Sequence, residues 1–311
     1  MKRLVVILIF VFSVSLGVLY LGISSTQSFS RSILISCTQQ GALRVLVQER
    51  SIKQGWPGKK INDSNYQFQT LLYSINTTFI DVINLSISYN NNSANAQLTV
   101  KETTPDSSRF TITALQKLPL NPFERIKTYL SFKQLIPTVD TMLIDFKNKF
   151  LSEELVYGIK IYINRVQDST MISARKMMNH YPTVNEVYTM IDGIRKHILE
   201  NGGNESDAPM LNVFEKDNNM FWVMVAVPTQ KTVTANETYL LKRMLPNGFI
   251  LVSEVQGGLF TIHKSEAAMK QYVTDHQKST PAIPFQKLLT DRRAEPDTAK
   301  WKTRLYYPVM Y

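Results

Sequence analysis

Residues of the types that do chemistry are scattered through this 311-residue chain. Its four histidines, His180, His197, His263 and His276, form no HExxH and no i, i+4 pair, and the single cysteine, Cys37, has no cysteine partner. A zinc site needs such ligands spaced so that they converge on one ion. No GxSxG elbow is present to lift a serine nucleophile onto a strand-to-helix turn. Glu153 and Glu154 are neighbours, and adjacent residues on a helix do not face each other, so they read as a solvated helix end. Gly257–Gly258, in "EVQGGLFTIHK", permit a tight turn but lack the G-x-G spacing and the Lys-Ser/Thr ending of a phosphate loop. No metal and no cofactor are therefore expected.

The elements that position side chains come next. The chain carries 35 Lys+Arg against 25 Asp+Glu, a formal net charge of +10. The excess is spread out: residues 1–156 hold 16 basic and 10 acidic residues, and residues 157–311 hold 19 and 15. A nucleic-acid surface concentrates its charge, whereas the basic groups "GKK", "LKR" and "DRR" are short, so no nucleic-acid partner is expected. An apolar fraction of 44% with 19% charged residues belongs to a globular chain.

At the amino terminus Lys2 and Arg3 precede an uncharged apolar run, Leu4 to Ile23. As a helix this run rises about 30 Å, the thickness of the hydrocarbon core. A cleavable signal has a shorter apolar stretch and a small-residue cleavage site, for which "GISSTQS" is a poor candidate. With Arg31 alone on the far side, the positive-inside rule keeps the amino terminus cytoplasmic. Residues 1–30 are thus expected to be an N-terminal transmembrane anchor, with the bulk of the chain extracytoplasmic. Cys37 closes a first strand, "RSILISC", and with one thiol no internal disulfide forms.

Period-two patterning follows the anchor. "INLSISYN" puts Ile83, Leu85, Ile87 and Tyr89 on one face, and "AQLTVKE" and "RFTITALQ" alternate likewise between polar turns. Across "TVDTMLIDFKNKFLSEEL" the period becomes helical, with Val139, Leu143, Phe146 and Phe150 on one stripe. Residues 31–154 are expected to be a curved antiparallel sheet closed over a long helix. Residues 155–311 hold a weak repeat: strand, turn and amphipathic helix from Met171 recur from Phe249, 78 residues later. Each half closes with an apolar strand stopping at Pro228 or Pro308, 80 residues apart. Two β-α-β-β halves in one sheet would leave a cleft at the pseudo-two-fold axis. The fold class is α+β.

The frame "PM.NV", "VAVPT", "RMLPNGFILVSEVQGG", "PAIPF", "TDRRAEPDTAKW.TRLYYPV" resembles the GyrI-like small-molecule-binding domain, also the effector-binding module of some transcription regulators, over residues 157–311. Residues 31–154 resemble, more weakly, an SRPBCC (START-like) helix-grip domain. An anchor followed by these two domains looks like a group of bacterial envelope proteins, which places the bulk of the chain on the periplasmic side of the inner membrane. The GyrI-like resemblance implies a pocket at the pseudo-two-fold, lined by aromatics, where a buried Glu four residues before the last Pro meets lipophilic cations. That position holds Arg304 here, a departure: a guanidinium repels a cation and suits a carboxylate or phosphate. Arg304 either points to solvent or marks an anionic or neutral ligand. Glu254 is then the best remaining carboxylate; it shares a strand face with Val252 and Gln256, and looks either to water or to the pocket. The aromatic candidates for the pocket wall are Tyr188, Trp222, Phe260, Trp301 and Tyr306.

The expected function is binding of a small amphipathic or aromatic molecule without chemistry. One alternative is a hydrolase of strained electrophilic natural products, using Glu254 with Tyr306 or Tyr188, which some family members imply. Another is a structural envelope protein that works through a protein partner.

Overall fold

The protein is described here from a computed structural model covering residues 20–48, 55–167, 169–216, 219–244 and 246–310, with positions 11, 14 and 17. Most of the expected membrane helix, Leu4–Ile23, lies outside these residues. Among the described residues no helix is long and apolar enough to cross a membrane. The chain forms two compact units, Met1–Val156 and Tyr157–Tyr311. The mixed α+β architecture, with two antiparallel sheets, fits the helix-grip and GyrI-like folds that the resemblance implied.

The first unit is a seven-stranded sheet and one long helix. Strand β1 (Thr26–Ile35) leads through a short helix α1 (Gln39–Leu43) to β2 (Lys59–Lys60), β3 (Asn65–Phe68), β4 (Leu71–Phe79), β5 (Val82–Tyr89), β6 (Asn92–Thr104) and β7 (Ser107–Lys117). The meander folds back on itself so that β1 pairs antiparallel with β7, and the order is β1-β7-β6-β5-β4-β3-β2. Alternation dictates the buried face: Ile83, Leu85, Ile87 and Tyr89 are all buried. Cys37, two residues past β1, is buried and its thiol donates to the Thr38 carbonyl.

Helix α2 (Pro122–Phe150) starts at Asn121, whose side chain accepts from Phe123 N and Glu124 N, with Pro122 in the first turn. Val139, Leu143, Phe146 and Phe150 are buried along it, as their spacing requires. The helix begins a full four turns before Thr138 and runs through Pro137, because Phe132 and Leu135 upstream are also buried against the sheet. Burial there outweighs the hydrogen bond the proline removes. Trp56, Tyr73, Phe110, Phe146 and Phe150 fill the space between helix and sheet, with ring centroids 5.4–6.4 Å apart.

Helix α3 (Glu153–Tyr157) precedes the second unit, whose elements are β8 (Tyr162–Arg165), β9 (Ser169–Met178), α4 (Val184–Glu200), β10 (Met210–Lys216), β11 (Met220–Thr229), β12 (Leu240–Met244), β13 (Phe249–Gln256), α5 (Leu259–Asp275), β14 (Phe285–Leu288) and β15 (Lys302–Val309). The sheet order β12-β9-β11-β10-β14-β15-β13-β8 reads the same from either end once β8 is equated with β12 and β9 with β13. Each half is therefore β-β-α-β-β, one strand more than its sequence suggested. The added strands are exchanged, β12 pairing with β9 and β8 with β13. Both are short and largely exposed, so they carry little alternation to read. The register also corrects the repeat. Ile172 and Met178 of β9, and Leu251 and Val255 of β13, face the helices, so matching Met171 to Phe249 aligns opposite faces and is off by one residue.

Candidate functional site

Apolar packing in the second unit divides in two. Val187, Tyr188, Ile191, Ile194 and Ile198 of α4 close over Ile172, Val223, Val225 and Val227. Ile262, Met269, Tyr272 and Val273 of α5 close over Leu251, Val255, Leu305 and Val309. Where the halves meet, β10 pairs with β14, through Met210–Lys287 and Leu211–Gln286. On the helix-bearing face beside that junction, Leu211 and Leu288 belong to the first cluster, and Gln286 brings a polar side chain between the two.

The two halves differ in how their last strands connect. The segment 289–301 makes a long excursion between β14 and β15 and is pinned to α4. The Tyr188 hydroxyl donates to the Thr290 carbonyl at 3.0 Å and accepts from Arg292 N at 3.0 Å. Arg293 reaches Asp192 at 2.6 Å and lies over the Tyr188 ring. This places Arg292 inward, buried at 8% exposure. Its Nη2 donates to Thr303 Oγ1 at 2.9 Å and to Gln286 Oε1 at 3.3 Å, and the guanidinium lies 4.9 Å from the Trp301 ring centroid. Burial pulls its pKa down, against the pull of the Tyr188, Tyr181 and Glu266 charges.

Gln286 passes the network to α5: its Nε2 donates to Glu266 Oε1 at 2.9 Å. Burial raises the Glu266 carboxyl above its ordinary value, and the Gln286 hydrogen bond, His263 and Arg292 oppose this only in part. The Tyr307 hydroxyl donates to the Glu266 carbonyl at 3.2 Å, and burial pushes that phenol up to about 12. Tyr181, before α4, shares a hydrogen bond with His263 Nε2 at 3.0 Å and so bridges to α5. Its phenol is raised too, by burial and then by the Glu266 charge. The assembly thus combines a buried cation, a carboxylic acid held toward its neutral form, and phenols.

The seven residues singled out from sequence fall into three places. Tyr188 and Trp301 are buried beside Arg292, with Trp301 Nε1 donating to the Glu295 carbonyl at 2.8 Å. Glu254, Arg304, Tyr306 and Trp222 lie on the opposite, helix-free face. There Arg304 Nε donates to Glu254 Oε1 at 2.9 Å and Nη2 reaches the same oxygen, with side-chain exposures of 35% and 61%. The ring of Tyr306 stacks on Phe285 at 4.8 Å, and Trp222 sits under the Arg175 guanidinium. Phe260, on the first turn of α5, is 83% exposed. Glu254 and Arg304 therefore answer each other, and Tyr188 is on the wrong face to join Glu254 in chemistry.

Sequence reasoning missed Arg292, Glu266, Tyr181, His263, Gln286 and Tyr307. Arg292 belongs to the "TDRRAEPDTAKW" frame, where the sequence shows it only as part of a short basic group; the chain reversal onto α4 buries it. Among the described residues no three His, Cys, Asp or Glu side chains gather as metal ligands. In the first unit an open groove of about 350 Å³ runs between Leu43 and Val47 and the exposed hairpin tip Phe79–Ile80.

No family model and no curated protein matches the chain. Among solved structures it is similar to the EcmrR C-terminal domain, at 13% identity over 49% of this chain and 98% of that one, TM-score 0.42. It is similar also to a hydrolase from Listeria innocua, at 13% over 49% and 92%, TM-score 0.37. A third is SAV2435 bound to tetraphenylphosphonium, at 13% over 49% and 94%, TM-score 0.34. At these identities and scores no property of those proteins transfers to this chain.

Proposed function

We propose that the second unit binds a small amphipathic or aromatic molecule on its helix-bearing face, between α4 and α5. The supporting observation is the polar assembly of Arg292, Glu266 and Tyr181 at the junction of two otherwise separate apolar cores. A core that only had to be stable would continue apolar there, since buried charge is costly. Aromatic and aliphatic neighbours would supply contact area, and the polar groups would fix orientation. A thermal-shift screen of the full chain against aromatic anions, cations and neutral molecules tests this. A ligand at a hundredfold over its Kd stabilises by about 2.7 kcal/mol; no shift from any class would favour the structural, partner-binding reading.

A second reading, hydrolysis of a strained electrophile, is favoured by one observation: the Glu266 carboxyl, raised by burial, lies near Tyr181 and Tyr307. It predicts a product that disappears in Glu266→Gln, whereas a binder gives stoichiometric binding and no product.

The membrane anchor and extracytoplasmic location are part of the proposal and rest on the sequence of residues 2–31. The full chain should stay with membranes on alkaline extraction, and a chain lacking Leu4–Ile23 should be released. Release of both would remove the anchor.

A further inference from the structure

Arg292 is positioned by its neighbours but not neutralised by them. Its backbone is tied to Tyr188, and Nη2 has two neutral acceptors, the Gln286 amide oxygen and the Thr303 hydroxyl. Nε and Nη1 have no acceptor among the described residues, and Arg292 forms no ion pair there. Glu266 is the carboxylate whose charge reaches it, yet that carboxyl is engaged by Gln286, and burial favours its uncharged form. With both Nη2 acceptors in place, Nε and Nη1 lie on different edges of the planar group, and each remains a charged donor suited to a single oxygen of an anion. A buried charge without a counterion is costly, so the arrangement favours a partner that brings one.

We propose that Arg292 is an anion-recognition residue, and that the molecule bound between α4 and α5 carries a carboxylate, sulfonate or phosphate on an aromatic or aliphatic body. This deepens the binding reading above and rests on it. An oxygen of the anion would accept from Nη1, beside the guanidinium face that Trp301 covers at 4.9 Å. Tyr181 would donate to one of its remaining oxygens. A cationic ligand would meet the Arg292 charge and would be repelled.

Calorimetric titration of the full chain with three isosteric probes tests this: naphthalene-2-carboxylate, naphthalene-2-carboxamide and naphthalen-2-ylmethylammonium. The carboxylate should bind at least about tenfold more tightly than either other probe, the discrimination a charge-assisted pair supplies. Arg292→Gln should lower the carboxylate's affinity to that of the amide, and Arg292→Lys should restore part of it, with unchanged circular dichroism showing that each variant folds. Arg304→Gln, on the opposite face, should leave all three affinities as they were. Tighter binding of the ammonium probe, an undiminished carboxylate affinity in folded Arg292→Gln, or loss of binding in Arg304→Gln would overturn the assignment. Equal binding of all three probes would overturn the anion preference while leaving the binding reading intact; binding of none would overturn both.

Discussion

Glu254 and Glu266 lie twelve positions apart in sequence and in opposite electrostatic surroundings. Glu254 is exposed on a strand, and Arg304 takes its charge; such a surface pair contributes about 0–1 kcal/mol. Glu254→Gln should therefore cost no more than that in urea unfolding and leave probe affinity unchanged. Glu266 behaves differently because burial raises its carboxyl above the ordinary 4.5. The folded state then holds the proton more tightly than the unfolded chain does. Its contribution to stability is full below about pH 4.5, the unfolded value, and is lost as pH rises through the higher folded value. Glutamine has the shape of the neutral acid and keeps the acceptor for Gln286. Glu266→Gln should thus flatten the fall in stability above about pH 4.5, with little change at the acid end. An unaltered pH profile would mean that Glu266 is ionised in the folded protein.

At the scale of elements, the two equivalent helices start differently. Helix α4 has a complete capping box: Thr183 Oγ1 accepts from Glu186 N, and Glu186 Oε2 accepts from Thr183 N at 2.8 Å. Helix α5 starts at Gly258 with no side-chain cap. Thr183→Ala should cost about 1 kcal/mol in denaturant unfolding, within a range of about 0.5–2. The Thr183 backbone and hydroxyl hydrogen bonds, with His180, hold the Glu186 carboxyl down to about 2. That cap contributes above pH 4.5 and is lost as pH falls toward 2, the opposite sense to Glu266. Helix α2 shows the converse limit of local signals: a proline in a helix interior removes a hydrogen bond, and the burial of Phe132 and Leu135 carries the helix past Pro137.

For the molecule as a whole, each unit rests on its own apolar interior, since Cys37 has no cysteine to pair with. Phe146 is fully buried, edge-on to Trp56 at 5.6 Å and to Phe110 at 5.5 Å. Phe146→Ala removes that ring and leaves a cavity, and should cost the first unit about 3–5 kcal/mol in chemical unfolding. A loss below about 1 kcal/mol would show that the aromatic cluster relaxes to fill the space. Alternation and helical period were legible wherever one face is buried, which is why Ile83–Tyr89 and Val139–Phe150 were assigned from spacing alone. The strand faces of β13 were legible for the same reason, so Glu254 was correctly separated from Leu251 and Val255. Local side-chain periodicity is a one-dimensional record of burial, and it survives in the sequence. Arg292, Glu266, Gln286 and Tyr181 have no such record. They meet because the segment 289–301 folds back onto α4 and two related halves join at β10 and β14, and neither sequence separation nor residue type encodes that meeting. The exchange of β8 and β12, too, was decided by tertiary pairing, because short exposed strands leave their hydrogen bonds to be satisfied by whichever edge the fold brings near.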